Sequence, residues 1–371
     1  MHDYNRNLMS TRPVPNTAII CLSPYYGGME MDAFQMAKML SEHTNVTLIV
    51  KNNFPIEIKH KKEAQESGIK VEPINFYKNL SLSLILKTRK IITKYRIKNV
   101  IYFGASELKS LYFSFIGIDV NLVIRHGTTK SSSKKDFLHR LIYSKVNYHV
   151  AISAHLAENV KQIIPFGKNT QLKLIYSSLR TIPTNISSTK NHISYPISLL
   201  HVARITAGKG QVDAIKACEV LYNMKKEFVL HLVGDIDPNY QQEFIAYLET
   251  VPYKDSIKLE GFSYNVSQFY KTSDIFIFPS KGEGLGNSFI EALSYGLTCI
   301  SYENTIFPEI KNLGFYFFLA ENLSIPSLKN TLETTLKYID NNSTPITKNI
   351  ILAKELFSKE KELKDFIEIL M

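Results

Sequence analysis

Cysteine is scarce in this chain: Cys21, Cys218 and Cys299 are all there is, and they stand far apart. An odd number of thiols with no Cys-x-x-Cys pair and no Cys/His ligand spacing argues against a disulfide framework or a zinc site. So few cysteines suit a reducing compartment. Long apolar runs are missing too. Spanning a bilayer takes about 18 uncharged apolar residues; the best candidate, 111–124, is shorter and contains Asp119. Residues 1–16 are polar and lack the apolar stretch of a secretory signal, so the expected location is cytoplasmic. A full Gly-x-Gly-x-x-Gly is absent, which removes the nicotinamide fingerprint. None of the usual nucleic-acid motifs is present, so no nucleic-acid partner is expected.

What is there reads as an ordinary globular protein, 44% hydrophobic and 21% charged. At 371 residues it is too long for one small core, which makes two domains the expectation. The charge is unevenly placed. Residues 1–180 hold 26 Lys and Arg against 12 Asp and Glu, whereas 181–371 hold 18 against 22. A first half this basic points to an anionic partner.

Strand-like and helix-like segments alternate. In the first half, 17–23, 46–50, 100–103, 122–125, 148–153 and 172–176 read as strands. Helical spacing marks 29–41, 80–96 and 135–145. Residues 181–196 are rich in Ser, Thr, Asn and Pro and read as a linker. The alternation then restarts, with strands at 197–202, 228–233, 257–259, 275–278 and 298–301. Helices are expected at 211–224, 239–250, 266–272 and 288–295, and a last one at 351–370. The architecture implied is two doubly wound parallel sheets in series, with ligands beyond the carboxyl ends of the strands.

Chemistry concentrates in a few places. Glu283 and Glu291 flank a turn, Gly284-Leu285-Gly286-Asn287-Ser288, between a strand and a helix. Such a helix mouth offers backbone N–H groups to an anion. In one continuous helix the two carboxylates would lie about 12 Å apart along the axis and about 80° around it, so the glycines must fold Glu283 back for both to grip one ligand. Ser288 and Glu291 equally fit a capping box. Arg204 and Lys209 sit in Ala203-Arg204-Ile205-Thr206-Ala207-Gly208-Lys209-Gly210, after one strand and before a helix. A guanidinium fork and an ammonium point charge suit a diphosphate, and the glycines would let the backbone approach it; solvated loop cations are the alternative. Gly27 and Gly28 form the turn into the first helix, and His126 ends a strand beside Arg125, which could bind an anionic acceptor or simply be exposed. Asp235-Ile236-Asp237 lies in a Pro- and Asn-containing turn, and turn formation accounts for it without a metal. Cations interleave with apolar residues at 87–98 and 130–145, as solvated helix faces or as interfacial helices on anionic lipid.

Two of these elements together resemble the group-1, GT4-like family of retaining glycosyltransferases. Glu283 and Glu291 match its Glu-x7-Glu motif, and Arg204 and Lys209 match its Gly-Arg-x5-Lys-Gly element, with Ala203 in place of the first glycine. Glu260-Gly261-Phe262 resembles the strand and turn near its nucleotide base. Departures are Ser177-Ser178 where Asn-Gly is common, and Leu285 and Asn287 within the turn. The resemblance implies a GT-B fold, two Rossmann-like domains facing a cleft: 1–180 for the acceptor, joined by the helix within 351–371, and 197–350 for the nucleotide sugar.

It further implies that Arg204 and Lys209 bind the donor diphosphate, that Glu291 binds ribose, and that Glu283 positions the donor sugar. His126 would contact the donor sugar, and Gly27 and Gly28 would approach sugar and phosphates. The expected donor is UDP-linked and the acceptor a glycan or lipid-linked molecule, as in lipopolysaccharide synthesis. No cofactor and no metal are expected. The inner face of the cytoplasmic membrane is a possible seat. Competing readings are a glycoside hydrolase using Glu283 and Glu291, which would need a defined carboxylate separation, a non-catalytic scaffold that binds glycan or lipid, and a sugar-nucleotide epimerase.

Overall fold

A computed structural model describes residues 13–24, 27–53, 55–183, 195–341 and 346–371. Its chain groups into two compact units, Met1–Ser177 with Lys359–Met371, and Ser178–Ser358. Most of the expected linker, 184–194, lies outside the described residues.

In the first unit strands and helices alternate: β1 (Thr17–Cys21), α1 (Gly28–Ser41), β2 (Val46–Lys51), α2 (Pro55–Glu66), β3 (Lys70–Ile74), α3 (Leu82–Lys94), β4 (Asn99–Phe103), α4 (Leu108–Ser114), β5 (Asn121–His126), α5 (Phe137–Tyr143), β6 (Tyr148–Ala151), α6 (Ala154–Ile163) and β7 (Gln171–Leu174). The strands form one parallel sheet in the order β3-β2-β1-β4-β5-β6-β7. Central strands β1 and β4 are buried along their whole length, because helices cover both faces of the sheet. On one face Leu84, Ile92, Leu111 and Ile142 pack from α3, α4 and α5. On the other, Phe34, Met36 and Leu40 pack from α1. The edge strand β3 carries Pro73, which an edge tolerates since one side of its backbone needs no ladder partner.

The second unit repeats the scheme: β8 (Ile197–Val202), α7 (Gln211–Ala217), α8 (Glu219–Asn223), β9 (Phe228–Val233), α9 (Gln241–Glu249), β10 (Ile257–Gly261), α10 (Ser267–Thr272), β11 (Ile275–Phe278), α11 (Asn287–Ser294), β12 (Thr298–Tyr302), α12 (Phe307–Asn312), β13 (Phe318–Ala320), α13 (Ile325–Asn341) and α14 (Ile346–Leu356). Its parallel sheet runs β10-β9-β8-β11-β12-β13. In both sheets the order reverses beside the first strand, between β1 and β4 and between β8 and β11. Those are the switch points where loops diverge and leave room for a ligand.

The terminal helix expected at 351–370 is two helices. α14 holds Tyr316 through Asn349, whose side chain bonds both the N–H and the C=O of Tyr316 at 2.8 Å. After Phe357 and Ser358 comes α15 (Lys359–Leu370), which buries Phe366, Ile369 and Leu370 in the first unit's core. Its last carbonyls accept from Asn99 and Asn121 at 2.9 and 2.8 Å. The two halves serve different cores, so the chain breaks between them. The helix expected at 211–224 is likewise divided, at Cys218.

Candidate active site

The switch point of the second sheet brings two sequence elements together. β8 and β11 are neighbours, so the loops leaving their carboxyl ends run side by side. The Lys281 N–H donates to Gly208 O at 2.9 Å, and the Ser280 hydroxyl oxygen lies 3.3 Å from the same oxygen. Gly210 makes this approach possible. It has φ +83°, and a Cβ there would run into the Pro279 carbonyl. Gly208, by contrast, has open space around its Cα. The tight approach is thus of loop to loop, where the sequence pointed to loop and ligand.

The outcome is a contact between Lys209 and Glu283. The ammonium donates to both carboxylate oxygens, at 2.7 and 2.9 Å. The Ser280 hydroxyl donates to Glu283 Oε1 at 2.7 Å, and the Glu283 N–H donates to Thr305 Oγ1 at 3.1 Å. Glu283 is one-tenth exposed and Lys209 about one-third, so the pair is shielded yet reachable. Two bonds use two of the three ammonium hydrogens, leaving one for an anion. Under the loop lies His201, fully buried, whose Nε2 bonds the Lys209 carbonyl at 2.9 Å. Burial pushes His201 down to about 4, so the ring is neutral and Nε2 is the donor. Gln211 holds the Arg204 carbonyl at 3.1 Å. Arg204 itself lines a cavity of about 560 Å³ together with Asp235, Asp237, Leu259 and Gly261. Asp237 accepts the Asn239 N–H at 3.0 Å, as an Asx turn does.

The glycine-rich turn ends at Gly286, in the left-handed conformation at φ +73°, and α11 starts at Asn287. Leu285 is buried, and the Asn287 Oδ1 is buried without a hydrogen-bond partner. The Ser288 carbonyl oxygen lies 3.2 Å from the Tyr270 hydroxyl oxygen. The capping box that Ser288 and Glu291 would allow is not made. Glu291 instead accepts the Tyr270 hydroxyl at 3.0 Å and the Arg180 N–H at 3.2 Å, with a further backbone bond from Thr181. Burial raises its carboxyl above the usual range, and the nearby Arg180 charge works against that rise. Glu283 and Glu291 belong to separate hydrogen-bonded groups with no shared partner among the described residues. Phe262, past β10, is exposed and meets Tyr264 edge to face at 4.8 Å.

In the first unit, Gly27 caps α1 and Gly28 begins it. The Gly27 N–H donates to Glu30 at 2.8 Å, so the helix mouth is closed by its own carboxylate. His126 ends β5 but is buried, and its Nε2 shares a 2.9 Å hydrogen bond with His149 Nδ1. Desolvation lowers both rings, His149 to about 3 and His126 also well below its usual value. As placed, His126 offers no open atom; its Nδ1 is buried and unpartnered. Arg125 is neither exposed nor open to an acceptor. It is buried, paired with Asp32 at 2.9 Å, bonded to Ser177 and set over the Phe103 ring at 4.9 Å. Its neighbours come from three separate segments, which no local pattern could reveal. His201, Ser280, Tyr270 and Thr305 also escaped the sequence reading. Ser280 and His201 each end or follow a strand at the switch point, the one signal that could have marked them.

Residues 185–346 match the family model described as glycosyl transferases group 1. A capsular polysaccharide biosynthesis glycosyltransferase, CapH of Staphylococcus aureus, is 26% identical over 197 residues, 52% of this chain and 52% of that protein. The chain therefore matches about half the length of this curated relative. A glycosyltransferase from Rickettsia africae superposes with a TM-score of 0.80 at 17% identity, covering 96% of this chain and 97% of that one. HepE of Anabaena, solved with UDP-glucose, gives 0.77 at 17% identity over 96% and 99% of the two chains. The chain has the GT-B fold, and its residues 185–346 match the glycosyl transferases group 1 family model.

Proposed function

We propose that the chain is a retaining glycosyltransferase that moves a sugar from a UDP-linked donor to a glycan or lipid-linked acceptor in bacterial surface polysaccharide synthesis. The observation that carries this reading is the Lys209–Glu283 pair at the second switch point. A departing nucleoside diphosphate builds negative charge, and a preorganised cation lowers the cost of that build-up. Lys209 is held in place at both ends, by Glu283 on its ammonium and His201 on its carbonyl. Arg204 adds a second cation, so the charge needs no metal. Glu283, fixed by Lys209 and Ser280, positions the donor sugar. Glu291 has about four lone-pair sites, of which three protein donors use three; the fourth serves a ribose hydroxyl. Phe262 supplies an aromatic surface for the base. Gly27, Gly28 and His126 belong to the unit that takes the acceptor, where Glu30 holds the Gly27 N–H. The work is placed at the inner face of the cytoplasmic membrane.

A relative named for capsular polysaccharide synthesis and a neighbour solved with UDP-glucose support the substrate classes. Thermal unfolding with UDP, GDP, ADP, CMP and TDP tests the donor site. A ligand at 100 times its Kd stabilises by about 2.7 kcal/mol. UDP is expected to stabilise the wild type and to lose that effect in Glu291→Ala. Transfer to an acceptor is expected to fall to near background in Lys209→Ala and Glu283→Ala with folding intact, and the product should keep the donor's anomeric configuration. Wild-type transfer in both variants would remove the site assignment, and an inverted product would remove the retaining chemistry.

A further inference from the structure

Helices α3, α4 and α5 lie side by side on one face of the first sheet. Each turns one side into the core and leaves large apolar side chains outside. Leu82 and Leu86 on α3 are 70% and 56% exposed, Phe113 and Ile116 at the end of α4 are 43% and 48%, and Phe137 and Leu141 on α5 are 84% and 42%. Single exposed apolar residues are ordinary, but a set on three adjacent helices marks an interaction surface. Arg89 ties the set together, donating from α3 to the Ser114 and Ile116 carbonyls at 3.3 and 2.6 Å.

The charge around the set is one-sided. None of the three helices contains an Asp or a Glu, while α3 alone carries Lys87, Arg89, Lys90 and Lys94, the last of them paired with Glu72 at 3.4 Å. Lys135 and Lys145 on either side of α5 and Arg140 within it are exposed. Asp136, the nearest carboxylate to α5, is taken up in capping that helix and bonding His139. A second copy of this surface would bring cations against cations. An anionic bilayer would meet both needs at once, taking the leucines and phenylalanines into the interface and the cations among its headgroups. No helix is long and apolar enough to cross the membrane.

We infer that this α3–α4–α5 face is a docking surface for an anionic lipid bilayer. It deepens the membrane placement proposed above and rests on that placement, but not on the identity of the donor. The chain has no tryptophan, so Phe137→Trp gives a single fluorescent probe at an exposed position of the face. With vesicles of phosphatidylcholine containing 30% phosphatidylglycerol, its emission should shift to the blue and the protein should co-sediment. Pure phosphatidylcholine vesicles should bind far less. Leu82→Glu with Phe137→Glu should abolish sedimentation, and Lys87→Glu with Lys90→Glu should weaken it by about fivefold or more per cation. All are exposed positions, so unchanged thermal unfolding separates lost docking from lost folding. Ile351→Glu, exposed in the second unit, should bind like wild type.

Equal binding to neutral and anionic vesicles, or binding indifferent to both sets of variants, would overturn the inference. A dimer in light scattering that Leu82→Glu dissolves would assign the face to a second copy instead. UDP stabilisation, measured on the same samples, is independent of these results, so a failure of docking and a failure of the donor site can be told apart.

Discussion

At the scale of single residues the site is governed by who holds whom. Lys209→Ala removes more than a cation: it leaves Glu283, one-tenth exposed, with only a hydroxyl on its carboxylate. Losing one partner of a shielded pair costs more than the pair itself contributes. Glu283→Gln keeps the shape and the Ser280 contact, so it should unfold nearer the wild type than Lys209→Ala does, although both lose transfer; calorimetry on the two variants checks the order. Tyr270→Phe deletes one hydrogen bond to a buried carboxylate and leaves its neighbours in place. A loss of about 1.5–3 kcal/mol in urea unfolding is expected. Gly210→Ala meets both a left-handed φ and the Pro279 carbonyl, so a loss of about 1–3 kcal/mol is expected. Gly208→Ala, with room for a Cβ, should stay within about 1 kcal/mol of wild type, and the contrast between the two glycines is what the measurement reads.

At the scale of elements the first sheet's helices carry their own start signals. Ser153 follows β6, and its hydroxyl accepts the Leu156 N–H at 3.2 Å, capping α6. Ser153→Ala should cost about 1 kcal/mol, visible as a lower urea midpoint with an unchanged slope. Central strands such as Thr17–Cys21 were legible because an apolar run needs no context to be recognised. The edge strand β3 was not: Lys70, Glu72 and Pro73 give it a loop's composition, and only pairing with β2 makes it a strand. Helix α2, with its run of Lys and Glu, was missed because it carries few apolar residues to mark a helical stripe. The breaks at Cys218 and after Phe357 were also unreadable. Helical periodicity continues across them, and the break after Phe357 divides a helix of the second unit from one packed in the first unit's core.

At the scale of the whole molecule, three buried histidines set a pH dependence. His126, His149 and His201 are all depressed by burial, the last two to about 3 and 4. An unfolded histidine takes its proton near 6.5, whereas these folded ones resist it. The unfolded state therefore binds more protons as the pH falls below 6.5, and stability present above that value is lost toward pH 4. Glu291, raised by burial, works in the opposite direction, one group against three. Thermal midpoints should fall steadily from pH 7 to pH 4.5, and His201→Gln should flatten part of that slope. The sequence alone determined the alternation of strands and helices, the two sheets, and the candidate residues Arg204, Lys209, Glu283 and Glu291, because apolar periodicity and turn chemistry are local. Only the tertiary structure decided that Lys209 meets Glu283 across 74 positions, that Glu291 is held by Tyr270 and Arg180, and that Arg125 and His126 are buried. Those outcomes depend on strand order and on which neighbours remove water from a side chain, and neither quantity is carried by any short stretch of sequence.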